Sequence, residues 1–149
     1  LKDVNCIESN ITRAEFCHAA IRMLKVSNVP IINNGGSFTD TDSEEILALN
    51  SMGIVSGYED KSFRPENLIT REEAAVILTR LYEYNKQTAL ESKELYSDND
   101  DISMWAKEYV YKMRNTGIML GVENNNFSAH SNYTRLQSFL TLYRLFKSI

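Results

Sequence analysis

The sequence predicts an all-α fold in which one unit is repeated and three equivalent helices make a central three-helix bundle with pseudo-threefold symmetry. Three observations lead there. Thr-Arg occurs three times in one setting, in Ile11-Thr12-Arg13-Ala14-Glu15, Ile69-Thr70-Arg71-Glu72-Glu73 and Tyr133-Thr134-Arg135-Leu136-Gln137, and the two intervals between copies are similar. (A fourth copy, Thr79-Arg80, falls inside a helix-like run and lacks the setting.) Gly53-Ile54-Val55-Ser56-Gly57 and Gly117-Ile118-Met119-Leu120-Gly121 stand at one fixed distance before Thr70 and Thr134, and Phe63 and Phe127 follow Gly53 and Gly117 at another. An aromatic-x-Asp-x-Asp element runs from Phe38 to Asp42 and again from Tyr96 to Asp100, separated by the same interval as Thr12 and Thr70. Self-similarity at such periods marks stacked or symmetric supersecondary units.

Taken in order, residues 1–10 align loosely with the loop before Thr70 and read as the tail of a truncated first unit. Each Thr-Arg motif is a helix start. Thr12, Thr70 and Thr134 suit the N-cap, Glu15, Glu73 and Gln137 three residues on complete a capping box, and Ile11, Ile69 and Tyr133 are placed as hydrophobic staples. Behind each cap the apolar residues recur every three or four positions: Phe16, Ala20, Met23, Leu24; Ala74, Leu78, Leu81, Tyr82; Phe139, Leu142, Leu145, Phe146. That spacing puts each set on one helical face. Asn28 to Ser37, with Pro30 and Gly35-Gly36, is a connector, and Asn85 to Glu94 is either a helix extension or a loop. Ile46, Leu49 and Met52 lead a helix into Gly53, and Trp105, Tyr109, Val110 and Met113 lead one into Gly117. Gly53 and Gly117 suit the left-handed position that ends a helix. Gly57 and Gly121 suit a turn or a close approach by another group. The second unit's preceding helix is shorter than the third's and has no tryptophan. The units are then 1–37 (partial), 38–95 and 96–149, sharing one core within a single module of 149 residues.

The net charge is −4 and no Lys/Arg cluster stands out. Binding to a phosphate backbone is therefore not expected, nor is nucleic acid as a partner. No apolar run is long enough to cross a bilayer as a helix, so no membrane insertion is expected. Leu1 in place of an initiating methionine suits a piece of a longer protein whose targeting segments lie elsewhere. Cys6 and Cys17 are the only cysteines; Cys17 reads as a buried apolar residue, with a Cys6–Cys17 bridge left open. Two cysteines and two distant histidines make no zinc site. The acidic stretches after Asp40 and Asp98 do not match a calcium loop. Counted from Asp98, positions six and twelve hold Ser103 and Tyr109; counted from Asp40, they hold Glu45 and Ser51, where glycine and glutamate are required. No catalytic motif is present, so no enzyme activity, metal or cofactor is expected.

The stretch from Gly53 to Ala75 resembles the S-layer homology (SLH) domain, as do Trp105-Ala106-Lys107-Glu108, Gly117-Ile118 and Asn126-Phe127-Ser128. The likeness covers about residues 38–148 well and 11–26 in part. It implies three tandem units arranged as a pseudo-trimer, with central helices, helical prongs and grooves between them. It also implies a non-catalytic anchor of the bacterial cell wall or S-layer surface, extracellular, fused to further domains of a longer surface protein that could carry self-assembly. The implied partner is secondary cell-wall polysaccharide, often carrying a pyruvate ketal. Carried over to this chain, the ligand-binding residues are Arg13, Arg71 and Arg135, Asp40 and Asp98, Gly57 and Gly121, and Trp105. The first unit lacks its preceding helix, aspartate element and glycine motif, so the resemblance favours the groove around the second and third units. Each arginine could instead pair with a carboxylate such as Glu15 or Glu73, and Asp40 and Asp98 are also placed to cap the helices that follow. The rival reading is a degenerate SLH-derived module for protein–protein interaction or assembly.

Overall fold

The computed structural model describes residues 4–149, and Leu1 to Asp3, part of the truncated first unit, lie outside the described residues. It contains α1 (Val4–Ile7), α2 (Arg13–Val26), α3 (Glu44–Ser51), α4 (Arg71–Tyr84), α5 (Met104–Thr116) and α6 (Arg135–Ser148), with 3-10 turns at Asn99–Asp101 and Glu123–Asn125. No strand occurs among the described residues; only isolated bridges pair Thr12 with Leu68, Thr70 with Asn132 and Asn10 with Thr134. The fold is all-α, as the sequence predicts.

Each Thr-Arg motif starts a long helix through a complete capping box. Thr12, Thr70 and Thr134 accept from the amides of Glu15, Glu73 and Gln137, whose side chains accept from the cap residue's own N–H. This satisfies amides that a helix start would otherwise leave unpaired. The residues just before the caps do more than staple. Ile11 N–H donates to the carbonyl of Tyr133 at 2.9 Å, Tyr133 to Ile69 at 2.9 Å, and Ile69 to Ile11 at 3.2 Å. Three hydrogen bonds thus close a ring, and Ile11, Ile69 and Tyr133, all buried, fill it. The three long helices leave this ring together. α6 packs against both α2 and α4, while α2 and α4 meet at their first turns through Arg13 and Glu73. α3 lies against α2, α5 against α4, and the single-turn α1 against α6.

Gly53 and Gly117 adopt φ of +72°, the left-handed conformation expected where α3 and α5 end. α3 has 8 residues and α5 has 13, the shortening expected of the second unit. The chain after Tyr84 forms a loop.

Two expectations are corrected by the structure, and one left open is decided. The N-cap positions of α3 and α5 are Ser43 and Ser103, not Asp40 and Asp98; Asp98 precedes the 3-10 turn Asn99–Asp101, but its side chain makes no capping hydrogen bond there. On α6, Leu142 and Leu145 enter the core, but Phe139 and Phe146 are 52% and 36% exposed. α6 therefore lacks a cover over part of the face that its periodicity marks as apolar. Cys6 and Cys17 are both free thiols, the first exposed and the second buried. Burial pushes the Cys17 thiol up to about 12, since a thiolate there would lose its hydration.

Candidate functional site

A cleft of about 270 Å³ opens beside α4. Its walls come from all three repeats: Arg13 from the first, the turn Val55–Tyr58 with Glu73 and Arg80 from the second, and Trp105 from the third. The local causes can be followed one at a time. After Gly53 reverses the chain, the turn doubles back on residues 62–63, with Tyr58 N–H donating to the carbonyl of Ser62 at 2.9 Å. Gly57 permits this. A Cβ there would lie 2.6 Å from Cε1 of Phe38 and 2.7 Å from the Ser62 carbonyl oxygen. Gly121 repeats the arrangement against Tyr96 and the carbonyl of Asn126, at 2.6 and 2.7 Å. The close approach expected at these glycines is thus to an aromatic ring of the protein itself.

Asp40 and Asp98 fasten the returning segment of each turn. The Asp40 carboxylate accepts from the amides of Phe63 and Arg64, both at 2.8 Å, and Asp98 from those of Phe127 and Ser128, both at 2.7 Å. The Phe63 bond above all holds the Asp40 carboxyl below the usual aspartate range. Phe63 and Phe127 are fully buried, and their carbonyls receive Nε of Arg13 at 3.0 Å and of Arg71 at 2.8 Å. Each aspartate therefore holds the segment that aims an arginine.

The three arginines differ in charge environment. Arg13 reaches Glu73 at 3.3 Å and Arg135 pairs with Glu15, the ion pairing that the sequence allows. At the position where Glu73 and Glu15 serve the other two arginines the third repeat has Gln137, and Arg71 forms no ion pair with a carboxylate among the described residues. It is only 4% exposed and donates to the carbonyls of Phe127 and Leu120, at 2.8 and 3.0 Å. Its guanidinium also lies over the Phe127 ring, 5.0 Å from the centroid. Burial lowers its pKa, and Asp98, beyond ion-pair distance, offsets only part of the cost of keeping a cation there.

Trp105 does not join Gly121 of its own repeat. It lines the cleft with Gly57 and is 56% exposed, so much of its ring faces solvent at the rim. Its position follows from Glu72. This buried carboxylate accepts from the backbone N–H of Ser103 at 3.1 Å and from its Oγ at 2.9 Å, binding the start of α5 to α4. His130 Nδ1 lies 3.3 Å from the same carboxylate. Arg71, Asp98 and Gly121 gather around the corresponding turn of the third repeat, and Arg135 stands at the first turn of α6 beside Glu15 and Cys6.

Sequence reasoning passes over one row of side chains. Arg22, Arg80 and Arg144 stand at the same place after the cap threonines Thr12, Thr70 and Thr134. Arg80 lines the cleft, donates to the carbonyl of Ile54 at 3.4 Å, and has no carboxylate partner among the described residues. Arg144 bonds the carbonyl of Ile118 at the same distance. The period of the caps carries this signal, and comparing the Thr79-Arg80 dipeptide alone hides it. Arg13 and Arg80 against Glu73 leave the cleft one positive charge in excess. Two guanidinium forks, exposed backbone and a flat indole face suit a hydroxyl-rich anion.

The profile of the S-layer homology domain matches residues 37–75 and 95–137. An amylopullulanase of Thermoanaerobacterium thermosulfurigenes is 34% identical over 91% of this chain, which spans 7% of that protein. Exoglucanase XynX of Acetivibrio thermocellus is also 34% identical over 91% of the chain, here 13% of the relative. Cell surface glycoprotein 1 of Acetivibrio thermocellus is 37% identical over 92% of the chain, or 6% of its own length. The chain thus matches a small part of each of these proteins.

Proposed function

This chain belongs to the S-layer homology domain family, and from that premise we propose that its cleft binds secondary cell-wall polysaccharide through a carboxylate on the glycan, such as a pyruvate ketal. The module anchors its protein to the cell wall, outside the cell, and any catalysis belongs to other parts of that protein. The observation that carries the glycan reading is the meeting of Arg13, Arg80 and Trp105 in one cleft, although they come from three different repeats. Arg80, which has no carboxylate partner among the described residues, supplies a guanidinium fork for the glycan carboxylate. Arg13 shares its charge between Glu73 and the ligand. Trp105 offers its indole face to a sugar ring, and the exposed residues Ser56 and Gly57 border the same cleft. Asp40 acts one step back by fixing the segment that orients Arg13, and Asp98 does the same for Arg71. Arg71 with Gly121, and Arg135, belong to the related grooves of the other two repeats.

Sedimentation with purified cell walls tests this reading. The protein should co-sediment with native walls and remain in solution when the wall polysaccharide has been extracted. Arg80→Ala should weaken retention by roughly 10- to 100-fold, the loss expected for a charge-assisted hydrogen bond. Equal binding to extracted walls, or full binding by a folded Arg80→Ala protein, would remove the cleft from the account. A docking module for another protein would then take its place.

A further inference from the structure

The connector between α2 and α3 holds the chain's single Asn-Gly step, Asn34-Gly35. Asn33, Asn34, Gly35 and Gly36 are exposed and belong to no helix. Gly35 has φ of +79°, and nothing comes within 4 Å of the place where a Cβ would stand. Its N–H makes no backbone–backbone hydrogen bond among the described residues and donates to Oδ1 of Asn33 at 3.1 Å. Asn34 donates its backbone N–H to Oγ of Ser51 at 3.3 Å, and its side-chain amide has no hydrogen-bond partner among the described residues. The Asn34 side-chain carbonyl carbon is thus open, and the nitrogen that follows it in the chain is lightly held. Other asparagines are placed differently. The residues after Asn28, Asn85 and Asn132 donate their N–H groups to the carbonyls of Leu24, Glu83 and Ile69. Asn50 and Asn115 lie inside α3 and α5, where the next amide belongs to the helix ladder.

We propose that Asn34 is a site of self-modification, converted through attack by the Gly35 backbone nitrogen into aspartyl and isoaspartyl residues. The Gly35 nitrogen gives its proton to solvent base and bonds to Cγ of Asn34. The Cγ–Nδ2 bond breaks, ammonia leaves, and a five-membered imide remains. Water then opens the imide at one of its two carbonyls. Opening at Cγ restores the main chain with an aspartate. Opening at the α-carbonyl leaves the main chain running through the side chain, one methylene longer, as isoaspartate. One water is consumed and one ammonia released, and no other reactant is needed. Glycine permits the step because it leaves the attacking amide unshielded and free to rotate. Asn33 is the poorer candidate, because the residue after it carries a Cβ and its own Oδ1 is engaged by Gly35. Either product sets a carboxylate beside the end of α3, where the helix dipole disfavours an anion and the last turn has no basic residue. Ser51 Oγ ties the connector to α3 through Asn34 N–H and the Gly35 carbonyl, the latter at 3.5 Å. The extra methylene of isoaspartate falls between those two groups and separates them, so conversion loosens the connector from α3.

The test is incubation of the folded chain in mildly alkaline buffer beside Asn34→Gln and a synthetic peptide of residues 29–38. Peptide mapping by mass spectrometry locates each amide-to-acid exchange, and enzymatic methylation of isoaspartyl carboxyls identifies the lengthened product. Conversion should occur at Asn34 at least about tenfold faster than at any other asparagine, since glycine alone leaves the attacking nitrogen bare. Its rate should lie within about threefold of the peptide's, because an exposed connector opens at little cost. Isoaspartate should form in the connector of the unaltered chain and not in that of Asn34→Gln. In the converted chain, amide exchange at the last turn of α3 should quicken by about threefold or more, with α4 unchanged. An Asn34 left intact while the peptide converts, or another asparagine converting first, would overturn the proposal. Equal exchange at α3 before and after full conversion would overturn the loosening.

Discussion

Gly57→Ala is expected to destabilise the protein by about 1–3 kcal/mol, although Gly57 is exposed and its φ is not in the left-handed region. The added methyl would lie 2.6 Å from the Phe38 ring and 2.7 Å from the Ser62 oxygen, whereas ordinary contact begins near 3.4 Å. Something must move by roughly 0.7 Å or more, and neither neighbour yields cheaply in a packed environment. Displacing Phe38 disturbs its packing on the buried Phe63, 5.3 Å away between centroids. Displacing Ser62 stretches the bond from Tyr58 N–H, now 2.9 Å. An alanine free of such contacts would be neutral or slightly stabilising, because it restricts the unfolded chain. Urea unfolding followed by circular dichroism measures the difference. Gly121→Ala should behave alike, through Tyr96 and Asn126, and Gly36→Ala, whose nearest contact is 3.4 Å, should change stability little. A Gly57→Ala protein as stable as wild type would refute the argument that the aromatic ring, rather than a ligand, demands glycine.

Other expectations follow from the same contacts. Glu72→Ala removes the acceptor of both Ser103 groups and should cost about 1–3 kcal/mol in urea unfolding, with faster amide exchange at the start of α5. Gln137→Glu places a carboxylate opposite Arg71 as Glu73 stands opposite Arg13, and should raise stability by roughly 0.2–1 kcal/mol at low salt. The Asp40 carboxyl is held below its ordinary 3.8 in the folded protein. Its contribution to stability is therefore complete above that value and disappears as pH falls through the lowered one. Asp40→Asn should flatten the acid limb of a stability–pH profile measured by urea unfolding.

The helix starts were legible because capping is local. Threonine and its partner three residues on specify the box without help from the rest of the fold, and all three boxes form as read. Gly53 and Gly117 were legible for the same reason. The aspartates were not. A carboxylate two residues after an aromatic suits a helix cap by sequence distance, but Asp40 and Asp98 bind amides far downstream, at residues 63–64 and 127–128, and only the folded turn brings those close. The arginine–glutamate pairing was foreseen as a type of contact. That Glu73 serves Arg13 and Glu15 serves Arg135 depends on the order of repeats around the ring, which spacing does not encode. Trp105 was recognised as a site residue, but its cleft is completed by the turn of the preceding repeat, because α5 packs on α4. Phe139 and Phe146 show the limit of periodicity. It identifies an apolar face and leaves open what lies against it.

Calorimetric titration of the protein and its Trp105→Ala variant with native and depyruvylated wall polysaccharide tests the central claim most directly. The account predicts saturable binding of native glycan, strongly reduced by depyruvylation and by the loss of Trp105, with unfolding curves unchanged for this exposed side chain. Equal binding of the two glycans would contradict recognition through the carboxylate, and undiminished binding by Trp105→Ala would take the ligand out of this cleft.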